Sequence, residues 1–170
     1  MSESVDAHHQ DVPSSLGLAV VTVSDTRTLE TDTSGALIVE LSEQSGHRIV
    51  DRAIVPDEPD RMRPLFQRLA AMSTVDAILV TGGTGISPRD LTFETVSSLL
   101  TKPLPGYGEL FRMLSYAEIG PACLLSRAVG GLVGNVALMV MPGSRAAVHL
   151  AMTRILLPEL PHILREARKT

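Results

Sequence analysis

Tryptophan is absent from this chain of 170 residues, and aromatic residues make up only 3% of it. Proteins that bind single-stranded nucleic acid stack bases on aromatic side chains, so this scarcity argues against that function. The charge argues the same way, because 15 lysines and arginines stand against 19 aspartates and glutamates, a formal net charge of -4. We therefore expect no nucleic-acid partner.

Cysteine is almost absent too, and long apolar runs are missing. Cys123 has no second cysteine with which to form an internal disulfide, which fits a reducing compartment. No apolar run approaches the roughly 18 residues of a membrane span, and the N-terminus lacks the basic and apolar pattern of a signal peptide. These features predict a cytoplasmic protein with no membrane contact.

The hydrophobic content of 44% is enough for one sizeable core at this length. Residues 1–15 are polar and show no periodicity, which predicts a disordered N-terminal tail. We therefore expect a single domain over residues 16–170.

Strand and helix patterns alternate along the first half of that domain. Short apolar runs at 18–23, 48–55 and 77–80 are typical of buried parallel strands. Helical spacing follows at 34–44, with Asp32 or Thr33 near the cap, and at 60–72, where Pro64 is expected in the first turn. This alternation predicts a parallel sheet covered by helices.

The second half adds a turn that changes the sheet. Gly134-Asn135 separates apolar runs at 126–133 and 136–141 and predicts a hairpin. Residues 102–108 (KPLPGYG) predict a loop, either a connector or a lid, before helices at 109–115, 145–156 and 160–168. The whole pattern predicts an α/β fold, a three-layer α/β/α sandwich with a mostly parallel mixed sheet.

Residues 76–96 read DAILVTGGTGISPRDLTFETV and contain the most informative signal in the chain. A buried strand leads into Gly82, Gly83 and Gly85, whose bare backbone can bring N–H groups close to an anion. Arg89 and Asp90 follow, a phosphate-binding cation and a carboxylate suited to Mg²⁺. This order favours phosphate binding, although glycines at a strand-to-helix turn also occur for the turn alone.

Two familiar nucleotide signatures are missing from this segment. Pro88 stands where the dinucleotide fingerprint needs its third glycine, and no Gly-Lys-Ser/Thr follows to make a P-loop. Thr92 is expected to cap a helix that begins at residue 93. The segment therefore predicts an anion site of another type.

Polar residues also follow three other predicted strands. Ser24 and Asp25 come after the first strand, an acidic loop at 56–59 after the second, and the turn at 142–144 after the last. Since ligands of open α/β sheets bind at the carboxyl ends of strands, these residues are candidates for one shared site. Ser144 is also a simple N-cap for the helix after it.

Four pieces of the chain resemble the molybdopterin adenylyltransferases of molybdenum cofactor biosynthesis. They are TVSDTRTLETDTSG (22–35), VPDE (55–58), LVTGGTGISPRDLTFET (79–95), and LLSRAVGG with VMPGS (124–131 and 140–144). The DTSG piece and GYGELFRMLSYAEIG (106–120) resemble the MoaB branch more than the MogA branch. The resemblance covers residues 16–157, with the pieces in the family's order.

The resemblance implies transfer of the AMP part of ATP to molybdopterin, with release of pyrophosphate. It implies that Asp57 and Asp90 are catalytic and hold Mg²⁺, and that the protein forms a trimer or a dimer of trimers, with other cofactor biosynthesis proteins as possible partners. The residues it implies for binding substrate or nucleotide are Ser24, Asp25, Gly82, Gly83, Thr84, Gly85, Arg89, Thr92, Glu94, Pro142, Gly143 and Ser144.

One motif departs from the family. The usual Asp-Val-Thr-Pro-Glu-Ala-Thr reads here as DLTFETV over residues 90–96, so Phe93 replaces proline. Two alternatives to the transferase stay open. This departure and the MoaB-like pieces favour a non-catalytic molybdopterin-binding scaffold, and the occurrence of related domains in proteins of the competence-damage type implies a nucleotide pyrophosphatase.

Overall fold

The computed structural model describes residues 15–169, so the predicted tail lies almost wholly outside the described residues. A six-stranded sheet in the order β2-β1-β3-β6-β5-β4 forms the centre. Its strands are β1 (Gly17–Val23), β2 (Arg48–Val55), β3 (Ala77–Thr81), β4 (Lys102–Pro103), β5 (Val129–Val133) and β6 (Val136–Met141).

Six α-helices surround this sheet in the described part of the chain. They are α1 (Thr33–Gln44), α2 (Pro59–Ala70), α3 (Thr92–Ser97), α4 (Pro105–Ile119), α5 (Arg145–Ala151) and α6 (Leu157–Ala167). A 3₁₀ helix at Gly120–Leu125 follows α4, and a π-helical turn at Met152–Leu156 joins α5 to α6.

The sheet is mixed, as predicted. Strands β2, β1, β3 and β6 run parallel, while β5 pairs antiparallel with β6 and β4 pairs antiparallel with β5. The hairpin between β5 and β6 turns at Gly134, whose φ of 60° is open to glycine at little cost. Because the four parallel strands share a direction, their carboxyl ends meet at one edge.

Apolar side chains alternate between two cores on opposite faces of the sheet. Leu18, Leu79 and Met139 join one core with α1, α4, α5 and α6, whereas Ala19 and Val80 join the other with α2 and α3. Both faces of β1, β3 and β6 are fully buried, which explains their unbroken apolar runs. The result is the predicted α/β/α arrangement.

The predicted loop at 102–108 is wrong. Residues 102 and 103 form strand β4. Helix α4 begins at Pro105, about four residues before the predicted start at 109, and continues to Ile119 beyond the predicted end at 115. Proline fits the first helical turn, where no N–H bond is needed. Gly108 lies inside this helix. A β-carbon at this position would collide with the carbonyl of Ala128, so glycine permits the helix to pack closely on the chain before β5.

Three further predicted positions need correction. Pro64 lies inside α2 beyond its first turn, because the helix begins at Pro59. Strand β5 begins at Val129 rather than at 126, since the 3₁₀ helix extends to Leu125. The helices predicted at 145–156 and 160–168 form one continuous helical path, with a π turn where Pro158 cannot donate an N–H to the previous turn.

Candidate active site

Four parallel strands deliver the predicted site residues to one edge of the sheet. Strand β1 ends before Ser24, β2 before the loop with Asp57, β3 before Gly82 and β6 before Pro142. The N–H of Ser24 donates to the carbonyl of Val55 at 2.9 Å, which holds the first two strand ends together. The edge therefore gathers residues that are far apart in the sequence.

Two of the three glycines after β3 adopt the positive φ that glycine permits. Gly82 and Gly83 have φ values of 99° and 62°, which side chains other than glycine rarely adopt. A β-carbon on Gly83 would collide with the side chains of Thr92 and Asp57. The turn therefore brings bare backbone against a carboxylate that a larger residue would push away.

Asp57 is a buried carboxylate at this edge, with 6% of its surface exposed. Its Oδ1 accepts the N–H of Leu91 at 3.1 Å, and its own N–H donates to Asp25 Oδ1 at 3.2 Å. Burial is the largest cause that raises the pKa of Asp57, and the charges of Asp90 and Asp25 raise it further against that hydrogen bond and Arg89. The fold thus places negative charge where it is poorly solvated.

Arg89 is partly neutralised by acids of the two neighbouring strand ends. Its Nε donates to Asp25 Oδ2 at 3.0 Å, and its Nη2 lies 2.9 Å from the same oxygen and 3.6 Å from Glu58 Oε1. The arginine remains half exposed, so an incoming phosphate could compete for it.

Asp90 closes the turn between the glycines and α3. Its Oδ2 accepts the N–H of Ser87 at 3.1 Å, and the Asp90 N–H donates to the carbonyl of Ser87 at 2.9 Å. A β-carbon on Gly85 would lie 2.6 Å from the same Oδ2, so the carboxylate packs directly on the glycine backbone. Asp57 and Asp90 therefore both pack on the glycine loop, residues 82–91, at Gly83 and Gly85 respectively.

Thr92 does not cap the helix, which corrects that prediction. Helix α3 begins at Thr92 itself after Leu91, and no side chain caps it. The Thr92 hydroxyl is fully buried beside Gly83 and lies 3.8 Å from Met62 Sδ. Its backbone N–H instead donates to the carbonyl of Gly83 at 3.2 Å and closes the base of the loop.

The turn after β6 is tied to both β3 and α1. Thr81 Oγ1 donates to the carbonyl of Pro142 at 3.1 Å, and Ser34 Oγ donates to that of Gly143 at 2.8 Å. Ser144 caps α5 by accepting the N–H of Ala147 at 3.2 Å. Capping alone explains why serine stands at position 144, so no ligand is needed for that. The turn nevertheless places Ser144 at the edge shared by the strand ends.

Three cavities open along this edge. One of about 710 Å³ lies over Asp25, Arg27 and Arg89, and a smaller one of about 140 Å³ lies between Gly82 and Gly143. The third, of about 300 Å³, is mostly apolar and is lined by residues of the glycine loop, α4, the 3₁₀ helix, the turn after β6 and α5, among them Thr84, Gly85, Phe111, Leu125, Pro142 and Ser144. A charged cavity and an apolar one therefore flank the glycine loop.

Sequence reasoning assigned no site role to Arg127 or Asp32. Arg127 contacts the glycine loop across 43 residues of sequence, donating from Nε to the carbonyl of Thr84 at 3.2 Å, and it pairs with the carboxylate of Glu94. Asp32 is buried, caps α1 through the N–H of Gly35 at 2.8 Å and pairs with Arg52 at 3.1 Å. Asp32 was predicted only as a cap, and no spacing rule predicts the partners of Arg127.

No three His, Cys, Asp or Glu side chains within residues 15–169 are grouped as a ready-made metal cage. Mg²⁺ at nucleotide sites commonly takes one or two carboxylates and completes its shell with water and phosphate oxygens. Asp57 and Asp90 fit that limited role, because burial and neighbouring acids make negative charge at Asp57 costly until a cation offsets it.

Within residues 15–169, no helix has the length and apolar character of a membrane span.

The fold and this edge define an α/β protein whose ligand site is built from a glycine loop, two carboxylates and several strand ends. Residues 19–162 match the family described as a probable molybdopterin binding domain, and the chain belongs to that family. The resemblance found in the sequence is thereby confirmed.

Similar proteins favour the MoaB branch. The chain is 48% identical to molybdenum cofactor biosynthesis protein B of Halalkalibacterium halodurans over 98% of each chain. A crystal structure of a molybdenum cofactor biosynthesis protein B is 46% identical, with a TM-score of 0.90 over 93% of this chain and 99% of that one. The tungsten cofactor synthesizing protein MoaB of Pyrococcus furiosus is 36% identical, with a TM-score of 0.81 over 92% and 99%.

Proposed function

We propose that this protein of the molybdopterin-binding family adenylylates molybdopterin with ATP during molybdenum cofactor biosynthesis. A phosphate oxygen of molybdopterin would attack the α-phosphorus of ATP, and the bond from that phosphorus to the β-phosphate bridging oxygen would break. The electron pair leaves with pyrophosphate, so a new P–O bond replaces the old one. Such a reaction depends on positioning and charge neutralisation more than on covalent catalysis.

The buried position of Asp57 beside the glycine loop is the observation that supports this proposal most. A carboxylate that is 6% exposed and has a raised pKa next to Asp25 and Asp90 is stabilised when a cation joins it. Asp57 and Asp90 would hold Mg²⁺, which supplies charge neutralisation for the phosphates when bound. Backbone N–H groups of Gly83, Thr84 and Gly85 would donate to phosphate oxygens.

The two larger cavities suggest how the substrates would divide. Arg27 and Arg89 line the larger cavity and would bind the phosphate chain of ATP beside Ser24 and Asp25. The apolar cavity beside Thr84, Pro142 and Ser144 would accept the flat pterin ring. Both cavities border the glycine loop, where the reacting phosphates would meet.

Product analysis by mass spectrometry tests this function directly. Molybdopterin incubated with the protein and Mg-ATP should yield adenylyl-molybdopterin and pyrophosphate. Asp90→Asn should abolish turnover and leave pterin binding largely intact, because that carboxylate serves the phosphates. Asp51→Asn is a matched control, since Asp51 lies within strand β2, away from its carboxyl end, and pairs with Arg68 of α2. Full turnover in Asp90→Asn would remove Asp90 from this role.

A non-catalytic molybdopterin-binding scaffold is the second candidate. Two acids already pair with Arg89 in this chain, and Phe93 replaces the proline of the transferase motif. Both features favour binding without transfer. Tight pterin binding without any ATP-dependent product, under conditions where a MogA-type enzyme is active, would favour the scaffold.

Self-association is proposed as well. Met113 and Tyr116 on α4 and Leu124 and Leu125 on the 3₁₀ helix are large apolar residues that stay 57–78% exposed. Their grouping on adjoining elements favours burial against further copies, as a trimer or a dimer of trimers. Sedimentation of the protein and of Met113→Glu tests this, and a monomer for the unchanged protein would contradict it.

The proposed role in molybdenum cofactor biosynthesis also includes a cytoplasmic location and contact with other cofactor biosynthesis proteins.

A further inference from the structure

Arg127 reaches the glycine loop from the chain segment before β5. Its Nε donates to the carbonyl of Thr84 at 3.2 Å and its Nη2 to the carbonyl of Asp90 at 2.8 Å. Its Nη1 pairs with the carboxylate of Glu94, and its guanidinium lies 5.3 Å from the ring centre of Phe93. One side chain, 22% exposed, therefore binds the loop near both ends and rests on helix α3.

Binding these two carbonyls fixes the direction of the peptide groups that carry them. In a planar trans peptide the N–H points opposite to the C=O. The Asp90–Leu91 peptide shows this arrangement, because its carbonyl accepts from Arg127 while its N–H donates to Asp57 Oδ1 at 3.1 Å on the other side. The loop is thus held between an arginine and an aspartate.

The same geometry applies to the Thr84–Gly85 peptide. Its carbonyl accepts from Arg127, so the N–H of Gly85 must point away from the guanidinium. Gly85 also faces the carboxylate of Asp90, and together with Thr84 it lines the apolar cavity shared with Pro142. Without Arg127, glycine residues would let this peptide rotate at little cost.

We infer that Arg127 is a positioning residue that orients the Thr84–Gly85 peptide so that the Gly85 N–H, turned away from the guanidinium, is available to a phosphate oxygen at the glycine loop. Arg127 touches the loop backbone and acts through it, without contacting substrate itself. Fixing the donor before binding reduces the ordering cost that phosphate binding would otherwise carry. The inference rests on the proposed function, because it assigns the donor to a phosphate ligand.

Phe93 and Glu94 hold the guanidinium in place. The aromatic face supports the planar cation, and the carboxylate fixes its outer end, so the fork stays aligned with both carbonyls. A proline at position 93, as in the related motif, would offer no aromatic face to the guanidinium. The departure at Phe93 therefore belongs to the support of the loop in this chain.

Hydrogen–deuterium exchange of the loop tests this role without requiring turnover. In Arg127→Ala, amides of residues 82–91 should exchange at least about tenfold faster, because two hydrogen bonds from a charged group to the loop are lost. Binding of inorganic pyrophosphate with Mg²⁺, measured by calorimetry, should weaken about tenfold. Guanidinium ion added to Arg127→Ala should restore part of both effects.

Enzyme kinetics separate positioning from a general loss of structure. The KM for ATP should rise about tenfold in Arg127→Ala with kcat changed less, because the donor serves bound and reacting phosphate alike. Arg63→Ala is the matched control, since Arg63 donates to Ser98 Oγ at 2.6 Å at the far end of α3. It should leave loop exchange and pyrophosphate binding unchanged.

Two further variants keep the test decisive. Arg127→Lys preserves the charge but loses the planar fork, so it should show a smaller increase in exchange even if Arg127→Ala does not fold. Phe93→Ala should increase the exchange of the loop amides by an amount between those of Arg127→Lys and Arg127→Ala. Unchanged exchange and pyrophosphate binding in folded Arg127 variants would overturn the inference. Absence of adenylylated product with the unchanged protein would refute the proposed function alone, because exchange and pyrophosphate binding would still report on the loop.

Discussion

The two ends of the parallel strands differ in how their charged groups are satisfied. At the amino end, Asp76 accepts the N–H of Gly17 and a hydrogen bond from Arg168, both at 2.6 Å. His47, beside it, accepts the N–H of Leu16 at 3.3 Å through Nδ1. At the carboxyl end, Asp57 is buried near two other carboxylates, and its pKa is raised. One end pairs its charges internally, while the other concentrates negative charge.

This difference indicates what each end contributes. Paired charges at the amino end tie the chain before β1 to the start of β3 and to the C-terminal helix, which stabilises the fold. Negative charge at the carboxyl end costs stability and is retained where a ligand can offset it. Variants at the two ends should therefore separate activity from stability.

After the loss of turnover expected for Asp90→Asn, the largest effect is expected from Asp57→Asn on adenylylation. The amide can still accept the N–H of Leu91 and keep the loop shape, but it removes the charge that would hold Mg²⁺. We expect kcat/KM to fall by at least about a hundredfold, as for removal of a preorganised electrostatic group. Steady-state assays with Mg-ATP and molybdopterin measure this. A fall of less than tenfold would show that Asp57 is not needed for turnover.

Asp76→Ala should produce the next largest change, and in stability rather than activity. It leaves the N–H of Gly17 and the guanidinium of Arg168 without their partner, which should lower the free energy of unfolding by about 2 kcal/mol. Urea denaturation measures the loss. Asp60→Ala, in the exposed first turn of α2, is the control and should cost about 0.5 kcal/mol or less. A large fall in kcat for Asp76→Ala would contradict the division between the two ends.

His47 should give the amino end a dependence on pH. Burial is the main cause that lowers the pKa of this imidazole, which is 8% exposed, and Asp76 opposes the shift. A lowered pKa means that the folded state favours the neutral ring, so stability is full above the unfolded pKa of about 6.5 and falls as pH drops below it. The slope of the free energy of unfolding against pH should stay below about 1.4 kcal/mol per pH unit for this one group. His47→Gln should flatten this part of a urea-melting series, and an unchanged slope would exclude His47 as its cause.

Much of the fold could be predicted because local patterns agree with it. The runs that became β1, β3 and β6 are buried on both faces, so their apolar character predicts their place directly. Helix α4 was missed at its start because Pro105, Gly106 and Gly108 predict a loop, whereas close packing on Ala128 makes glycine suitable there. Tertiary contact overrode local propensity at that point.

The candidate site could be predicted only in part for the same reason. Asp57, Asp90 and the glycines follow strands, so the rule that ligands bind at strand ends brings them together. Arg127 could not be assigned, because its contacts with Thr84, Asp90 and Glu94 span 33 to 43 residues. Nor does sequence reveal that Thr92 is buried under Gly83 instead of capping α3. Such contacts depend on how the layers pack.

The smallest expected effect is the change in Tm that Asp57→Asn causes without ligand, and it is also the sharpest test of the carboxyl end. A raised pKa means that the ionised group costs stability at neutral pH, so the neutral amide should raise Tm by a few degrees, given about 2–4 °C per kcal/mol at this size. The gain should shrink as pH falls through the raised pKa of folded Asp57 and should be gone at the ordinary value of about 3.9, because the aspartate in the folded protein protonates first. Mg²⁺ with pyrophosphate should raise the Tm of the unchanged protein more than that of the variant, because only the former keeps the charge that a cation offsets. A variant that melts lower at neutral pH would show that Asp57 stabilises this edge in the same way that Asp76 stabilises the other.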